Sequence, residues 1–205
     1  MIKNVIFDMG QVLVKFDPQY FIERAGITDP EDIKTIDREV YKSLDWARMD
    51  RGSLTEAEGL RNMCARLPER LHEAARKLTL EWERPILPID GMAGIIKELH
   101  ENGYKIYLLS NASYRQIEYW HKIPGSEYFD GRVVSADEKL VKPQPEIYKL
   151  ICDRYNLVPG ECVFIDDSQL NCEGAYYSGL ETIVFHLDAA ELRQKLADLG
   201  VNISC

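Results

Sequence analysis

A chain of 205 residues with 45% hydrophobic content can bury a full α/β domain together with a smaller accessory unit. Its 34 acidic residues outnumber 25 basic ones, a formal net charge of -9, which argues against nucleic acid or an anionic membrane as a partner. Its five cysteines (Cys64, Cys152, Cys162, Cys172 and Cys205) form no C-x-x-C pair and no zinc-like array, so reduced structural thiols are expected.

The first residues hold an apolar run without a basic leader region, a cleavage site or spanning length, so a cytoplasmic protein is the expectation. Val5, Ile6 and Phe7 are continuous rather than alternating, as suits a strand covered on both faces, and they run into Asp8, Met9 and Gly10. Residues 16–84 carry helical patterns and no convincing strand. Asp29 and Pro30 open one helix, with Ile33, Ile36, Val40, Tyr41 and Leu44 at helical spacing. Thr55 and Glu58 read as a capping box ahead of Leu60, Met63 and Leu67, and Leu71, Leu78 and Trp82 form a further stripe. Pro85 and Pro88 then mark a stiff return to the sheet.

Beyond that return, residues 92–102 place Met92, Ile95, Ile96 and Leu99 on one helical face, with Asp90 as a possible N-cap and Gly103 as a stop. Apolar runs occupy residues 106–109, 132–134, 162–165 and 182–185, and a helix over 145–155 opens on Pro145. Strands alternating with helices predict an α/β fold with a doubly wound parallel sheet, and ligands at the carboxyl ends of its strands. The predicted division is a core of residues 1–15 and 85–205 with an all-helical cap inserted at 16–84.

On this scaffold four strand ends carry chemically pointed groups: Asp8, Ser110 with Asn111, Lys142, and Asp166 with Asp167. Singly each has an ordinary explanation. Asp8 could cap a loop, Ser110 and Asn111 could cap a helix over 114–121, and Lys142 before Pro143 could be a solvated turn lysine. Asp166 and Asp167 differ, because adjacent carboxylates at the end of a buried strand need a cation or strong donors to stay ionised.

In combination the chain resembles the haloacid dehalogenase superfamily, in the subfamily whose helical cap comes after the first strand. The matching segments run from Val5 to Leu13, from Leu108 to Ser113, from Lys142 to Tyr148 and from Val163 to Asn171, in the family's order. The resemblance implies a Mg2+-dependent phosphatase acting on a small phosphorylated metabolite. Asp8 would be the nucleophile, forming an aspartyl-phosphate. Asp8, the carbonyl of Gly10 and Asp167 would hold the metal, with Asp166 a ligand or its neighbour. Ser110 and the amide of Asn111 would bind phosphate oxygens, and Lys142 would offset negative charge on Asp8 and the phosphoryl group.

One position departs from the family. Its phosphatases usually carry a second aspartate two residues after the nucleophile, as general acid and base, and here Gly10 stands there. Loss of such a group costs about 10²- to 10⁴-fold in rate. Two readings are open. One is a phosphatase for leaving groups of low basicity, such as sugar 1-phosphates, since the chain is also similar to bacterial glucose-1-phosphate phosphatases. The other is a site that binds a phosphorylated ligand without turnover, as a sensor or scaffold. Asp17, Asp50 or Glu56 could supply the proton instead. The segment from Asp45 to Gly52 is a candidate for substrate contacts or simply a charged interhelical turn. His72, His100, His121 and His186 are scattered, and none has a catalytic pattern.

Overall fold

A computed structural model of the chain describes residues 1–204, and Cys205 lies outside the described residues. The strands are β1 (Asn4–Phe7), β2 (Lys105–Ser110), β3 (Gly131–Val134), β4 (Cys162–Asp166) and β5 (Glu181–Val184). Among the described residues they form one parallel sheet in the order β3-β2-β1-β4-β5. β1 is central, with Phe7 opposite Leu108 of β2 on one side and Ile165 of β4 on the other. The winding direction reverses between β1 and β4, so the crevice over their carboxyl ends is the natural ligand position.

Both faces of the sheet are covered, which accounts for the continuous apolar runs. Val5 and Phe7 pack on one face with α6 (Met92–Glu101) and α11 (Ala189–Asp198), through Ile95, Ile96, Leu99, Leu192 and Leu196. Ile6 and Phe164 face the other way, onto Ile147, Tyr148 and Ile151 of α9 (Pro145–Tyr155) and Ala175 of α10 (Gln169–Tyr177). Short helices α7 (Gln116–Tyr119) and α8 (Ser135–Glu138) come after β2 and β3.

Between β1 and β2 the chain forms α1 (Pro18–Arg24), α2 (Pro30–Ile36), α3 (Leu44–Asp50), α4 (Glu56–Arg66) and α5 (His72–Leu80). These helices share a core of their own, with Phe21, Ile22, Ile36, Val40, Met63 and Leu78 buried in it. The exit and return of this excursion lie side by side. Lys15 N–H donates to Leu87 O at 2.7 Å, and Val14 bridges Pro88 in antiparallel fashion. No helix among the described residues is long and apolar enough to cross a membrane.

Local detail departs from the sequence patterns in three places. The helix expected to run through Leu44 instead passes into a π-helical turn at Asp37–Tyr41, and Ser43 Oγ accepts from Trp46 N–H at 3.1 Å to begin α3. Leu44, the first residue of that new helix, is therefore 69% exposed. Asp90 does not cap α6: Gly91 holds the N-cap with a φ of 83°, where a Cβ would stand 2.7 Å from the Ala189 Cβ. The helix over 114–121 shrinks to α7 and a 3-10 turn at Trp120–Lys122. Ser110 and Asn111 do not cap it, because Ser110 closes β2 and the Asn111 side chain bonds to Lys142.

The Thr55 capping box is present, with Thr55 N–H donating to Glu58 Oε2 at 3.0 Å and Glu58 N–H to Thr55 Oγ1 at 3.3 Å. Thr55→Ala is expected to lower stability by about 1 kcal/mol, read as a lower urea midpoint at unchanged m-value. An unchanged midpoint would show that α4 is held by its packing alone.

Candidate active site

Asp8 comes directly after β1, and its N–H donates to Ile165 O at 2.9 Å, so pairing with β4 continues one residue past the strand. A tight turn then redirects the chain. Leu13 and Val14 donate to Met9 O at 2.8 and 3.1 Å, Gln11 (φ 55°) donates to Val14 O at 2.7 Å, and Gln11 Oε1 accepts from Phe16 N–H at 2.9 Å. Gly10 sits inside this turn and lines the same cavity as Asp8.

Lys142 is buried rather than solvated. Its Nζ lies 2.8 Å from Asp8 Oδ1 and 2.6 Å from Asp166 Oδ2, and 5.3 Å from the centroid of the Phe164 ring. Asn111 fixes the Lys142 backbone at both ends: its Oδ1 accepts from Lys142 N–H at 2.9 Å and its Nδ2 donates to Lys142 O at 3.1 Å. Asp166 has no exposed surface and engages both oxygens with donors. Oδ1 accepts from Ser168 N–H at 2.8 Å and Asn171 Nδ2 at 3.0 Å, and Oδ2 from Asn171 Nδ2 at 3.1 Å besides Lys142.

One carboxylate oxygen each from Asp8, Asp166 and Asp167 lies within 4.8 Å of the other two. Burial pushes Asp8 up to about 6; Lys142 opposes the rise and Asp166 adds to it. Asp167 is likewise raised, by burial and then by Asp166. Burial alone would depress Lys142, but Asp8 and Asp166 more than offset it, so the ammonium keeps its proton. Three carboxylates thus face one cation, which leaves two negative charges for a divalent ion bound through oxygen. The donor set fits magnesium.

A cavity of about 240 Å³ opens over these strand ends. Asp8, Gly10, Asn111 and Asp167 line it, whereas Ser110, Lys142 and Asp166 stand outside its wall. Ser110, the last residue of β2, is 1% exposed. The helical excursion closes the cavity with Trp46, Met49 and Asp50 of α3, Glu56 of α4 and Thr79 of α5.

The three acids open as proton donors therefore separate. Asp17 is exposed and caps α1 by accepting from Tyr20 N–H at 3.1 Å, while Asp50 and Glu56 line the cavity. Burial pushes the Asp50 carboxyl up to about 8; a hydrogen bond from Trp46 opposes the rise, and Asp8 and Glu56 add to it. Within the segment from Asp45 to Gly52, Asp45 is structural, held by Arg66 at 2.8 Å and Asn62 at 3.0 Å. Phe16, Trp82 and Tyr119 also line the cavity; the sequence pattern marks Trp82 as part of a helical stripe and none of the three as a site residue, because they come from three separate segments.

A family model for haloacid dehalogenase-like hydrolases matches residues 2–179. The chain is 27% identical to a phosphorylated carbohydrates phosphatase of Thermotoga maritima, over 87% of this chain and 82% of that protein. It is 26% identical to a D-ribitol-5-phosphate phosphatase of Bacteroides thetaiotaomicron, over 96% of this chain and 97% of that one. Its fold matches the crystal structure of a wild-type HAD family enzyme of Bacteroides thetaiotaomicron in complex with magnesium and inorganic phosphate. There the TM-score is 0.71 at 25% identity, over 94% of this chain and 99% of that one. The chain belongs to the haloacid dehalogenase-like hydrolases.

Proposed function

We propose that the chain is a magnesium-dependent phosphatase of a small phosphorylated metabolite, working through an aspartyl-phosphate on Asp8. The observation that carries this reading is the Asp8 carboxylate in the cavity wall, 2.8 Å from a buried ammonium and clustered with two further carboxylates. The phosphatase names of its relatives support it. A dehalogenase would also use an aspartate nucleophile but needs no metal, so the three-carboxylate cluster counts against that chemistry.

In this reading Asp8 attacks phosphorus while the bond to the leaving oxygen breaks, and water then displaces phosphate from Asp8. The amide of Asn111, in the cavity wall, holds a phosphate oxygen; the Ser110 hydroxyl, which the resemblance gives the same task, is buried outside that wall. Lys142 offsets the charge that builds between an anionic nucleophile and an anionic substrate. Asp8, the Gly10 carbonyl and Asp167 hold the magnesium, and Asp166, whose oxygens are already engaged, orients Lys142. When bound, the ion supplies positive charge that lowers the repulsion between carboxylate and phosphate. Residues 16–84 act as a lid that excludes water. Because Gly10 offers no proton, the reading extends to a sugar 1-phosphate, whose anomeric oxygen leaves more readily than an ordinary alkoxide.

Three outcomes test the proposal. Asp8→Asn is expected to abolish magnesium-dependent phosphate release; equally slow release by both proteins would leave a phosphate-binding site without turnover. Asp8 is raised from 3.8 to about 6, so its protonation stabilises the metal-free fold fully below pH 3.8, and that contribution is lost as pH rises through 6. Magnesium competes with the same proton. Its affinity by calorimetry should fall about tenfold per pH unit below the Asp8 pKa and level off above it; a flat profile would remove Asp8 from the ligand set. Finally, a Cβ on Gly10 would meet nothing within 4 Å. Gly10→Asp should therefore fold and raise turnover of ordinary alkyl phosphates by about 10²-fold or more; no gain would mean that a proton already arrives from elsewhere.

A further inference from the structure

We infer that the cavity selects monophosphate esters whose leaving group is uncharged and rich in hydroxyls, a sugar or polyol, and that Asp50 and Glu56 enforce the choice. This rests on the phosphatase reading above and specifies what the half of the cavity away from the phosphate accepts. Asp50 ends α3 and Glu56 begins α4, and both side chains line the cavity. Among the described residues, its wall contains no Lys, Arg or His. Arg115, which approaches the wall at Thr79 O, is already committed to Glu83 at 3.0 Å and to Glu118 at 3.3 Å.

A leaving group bearing a second phosphate or a carboxylate would therefore face the Glu56 carboxylate, with the Asp50 carboxyl beside it and no available cation. Like charges brought together in a partly desolvated cavity cost several kcal/mol. Hydroxyls fare differently. An ionised carboxylate accepts their hydrogen bonds, and a protonated carboxyl both donates and accepts. Burial pushes the Asp50 carboxyl up, and in its protonated form it does both.

The rest of the wall suits the apolar faces of such a molecule. Phe16, Trp46, Trp82 and Tyr119 all line the cavity, with Phe16 5.7 Å from Trp46 and 5.1 Å from Trp82, and Trp82 5.5 Å from Tyr119, between ring centroids. Their rings offer C–H surface that a sugar can stack on, and a cavity of about 240 Å³ has room for a group of that size. The turn that carries these acids is also held from the core. Ser135 Oγ donates to Asp50 O, Tyr114 Oη donates to Gly52 O at 3.1 Å, and Arg115 N–H donates to Glu56 Oε1 at 3.3 Å. A cationic amino alcohol would also complement acids and aromatic rings, and phosphoethanolamine tests that alternative.

The test measures kcat/KM of the wild type for magnesium-dependent phosphate release from five substrates. They are glucose 1-phosphate, ribitol 5-phosphate, fructose 1,6-bisphosphate, phosphoglycolate and phosphoethanolamine, with p-nitrophenyl phosphate as the probe of phosphatase activity. The best neutral ester is expected to exceed both anionic ones by at least about 100-fold, and to exceed phosphoethanolamine. Glu56→Lys should shrink the gap between neutral and anionic esters at least about tenfold by raising kcat/KM for the anionic ones. Wild type that hydrolyses anionic and neutral esters alike, or that favours phosphoethanolamine, overturns the inference whether or not the variant folds. If p-nitrophenyl phosphate releases no phosphate, the phosphatase reading itself fails and takes this inference with it. A gap that persists in folded Glu56→Lys overturns the role given to Glu56.

Discussion

The ammonium of Lys142, 2.8 Å from Asp8 and 2.6 Å from Asp166, is the interaction around which the strand ends are organised. Taking a lysine out of water is costly, and removing one partner from such a buried set costs about 3–5 kcal/mol. The surroundings offset that cost. Asn111 holds the Lys142 peptide from the end of β2, Ser168 and Asn171 hold Asp166 from the start of α10, and Tyr148 Oη donates to Asn171 O at 2.7 Å from α9. Three strand ends and two helices are thus tied to one charge. A sheet whose central strand paired in another register would lose all of these contacts together.

The same constraint explains why a chain of net charge -9 can hold a phosphate. Exposed carboxylates more than about 8 Å away are screened at physiological ionic strength, whereas a buried ammonium and a metal at contact distance are not. The local imbalance is the reverse of what a phosphate needs, with three carboxylates to one cation. Asp8 and Asp167 both respond by holding their protons more tightly than ordinary aspartates do. In the proposed reading a divalent ion would remove that imbalance and supply the positive charge in one step, which would make metal and substrate binding mutually dependent.

The strand-end residues were legible in the sequence because a parallel sheet buried on both faces writes itself as short apolar runs, and the residues just past each run lie at one edge of the sheet. Asp8, Ser110, Asn111, Asp166 and Asp167 could be read that way. Lys142 was counted with them as a strand-end group, but it comes after a short helix beyond β3 rather than directly after a strand, and its burial against Asp8 and Asp166 was not legible. The aromatic wall was less accessible still, although Trp46 falls in the segment read as a candidate for substrate contacts. Phe16, Trp46, Trp82 and Tyr119 belong to four segments whose meeting depends on how the helical excursion settles on the sheet. Hydropathy periodicity also overran local capping: Leu44 keeps the spacing of its predecessors, but Ser43 starts a new helix and turns it outward.

Two glycines show how differently one residue type can be used beside a single site. Gly52 is required by packing, with a φ of 71° and a would-be Cβ only 2.0 Å from Ala136 O, so any larger residue would push the α3–α4 turn off the core. That turn carries Asp50 and Glu56 to the cavity, which makes Gly52 a condition of the acidic wall. Gly10 is under no such demand. Its φ lies outside the left-handed region and a Cβ there would meet nothing within 4 Å, so neither backbone nor packing selects glycine. In the proposed reading the consequence of glycine at that position is chemical: it leaves no acid beside Asp8, while the backbone carbonyl proposed to face a metal would be there with any side chain. In that reading the reaction depends on how readily the leaving oxygen departs and on what residues 16–84 present to it, and specificity and chemistry would meet at the wall formed by α3 and α4.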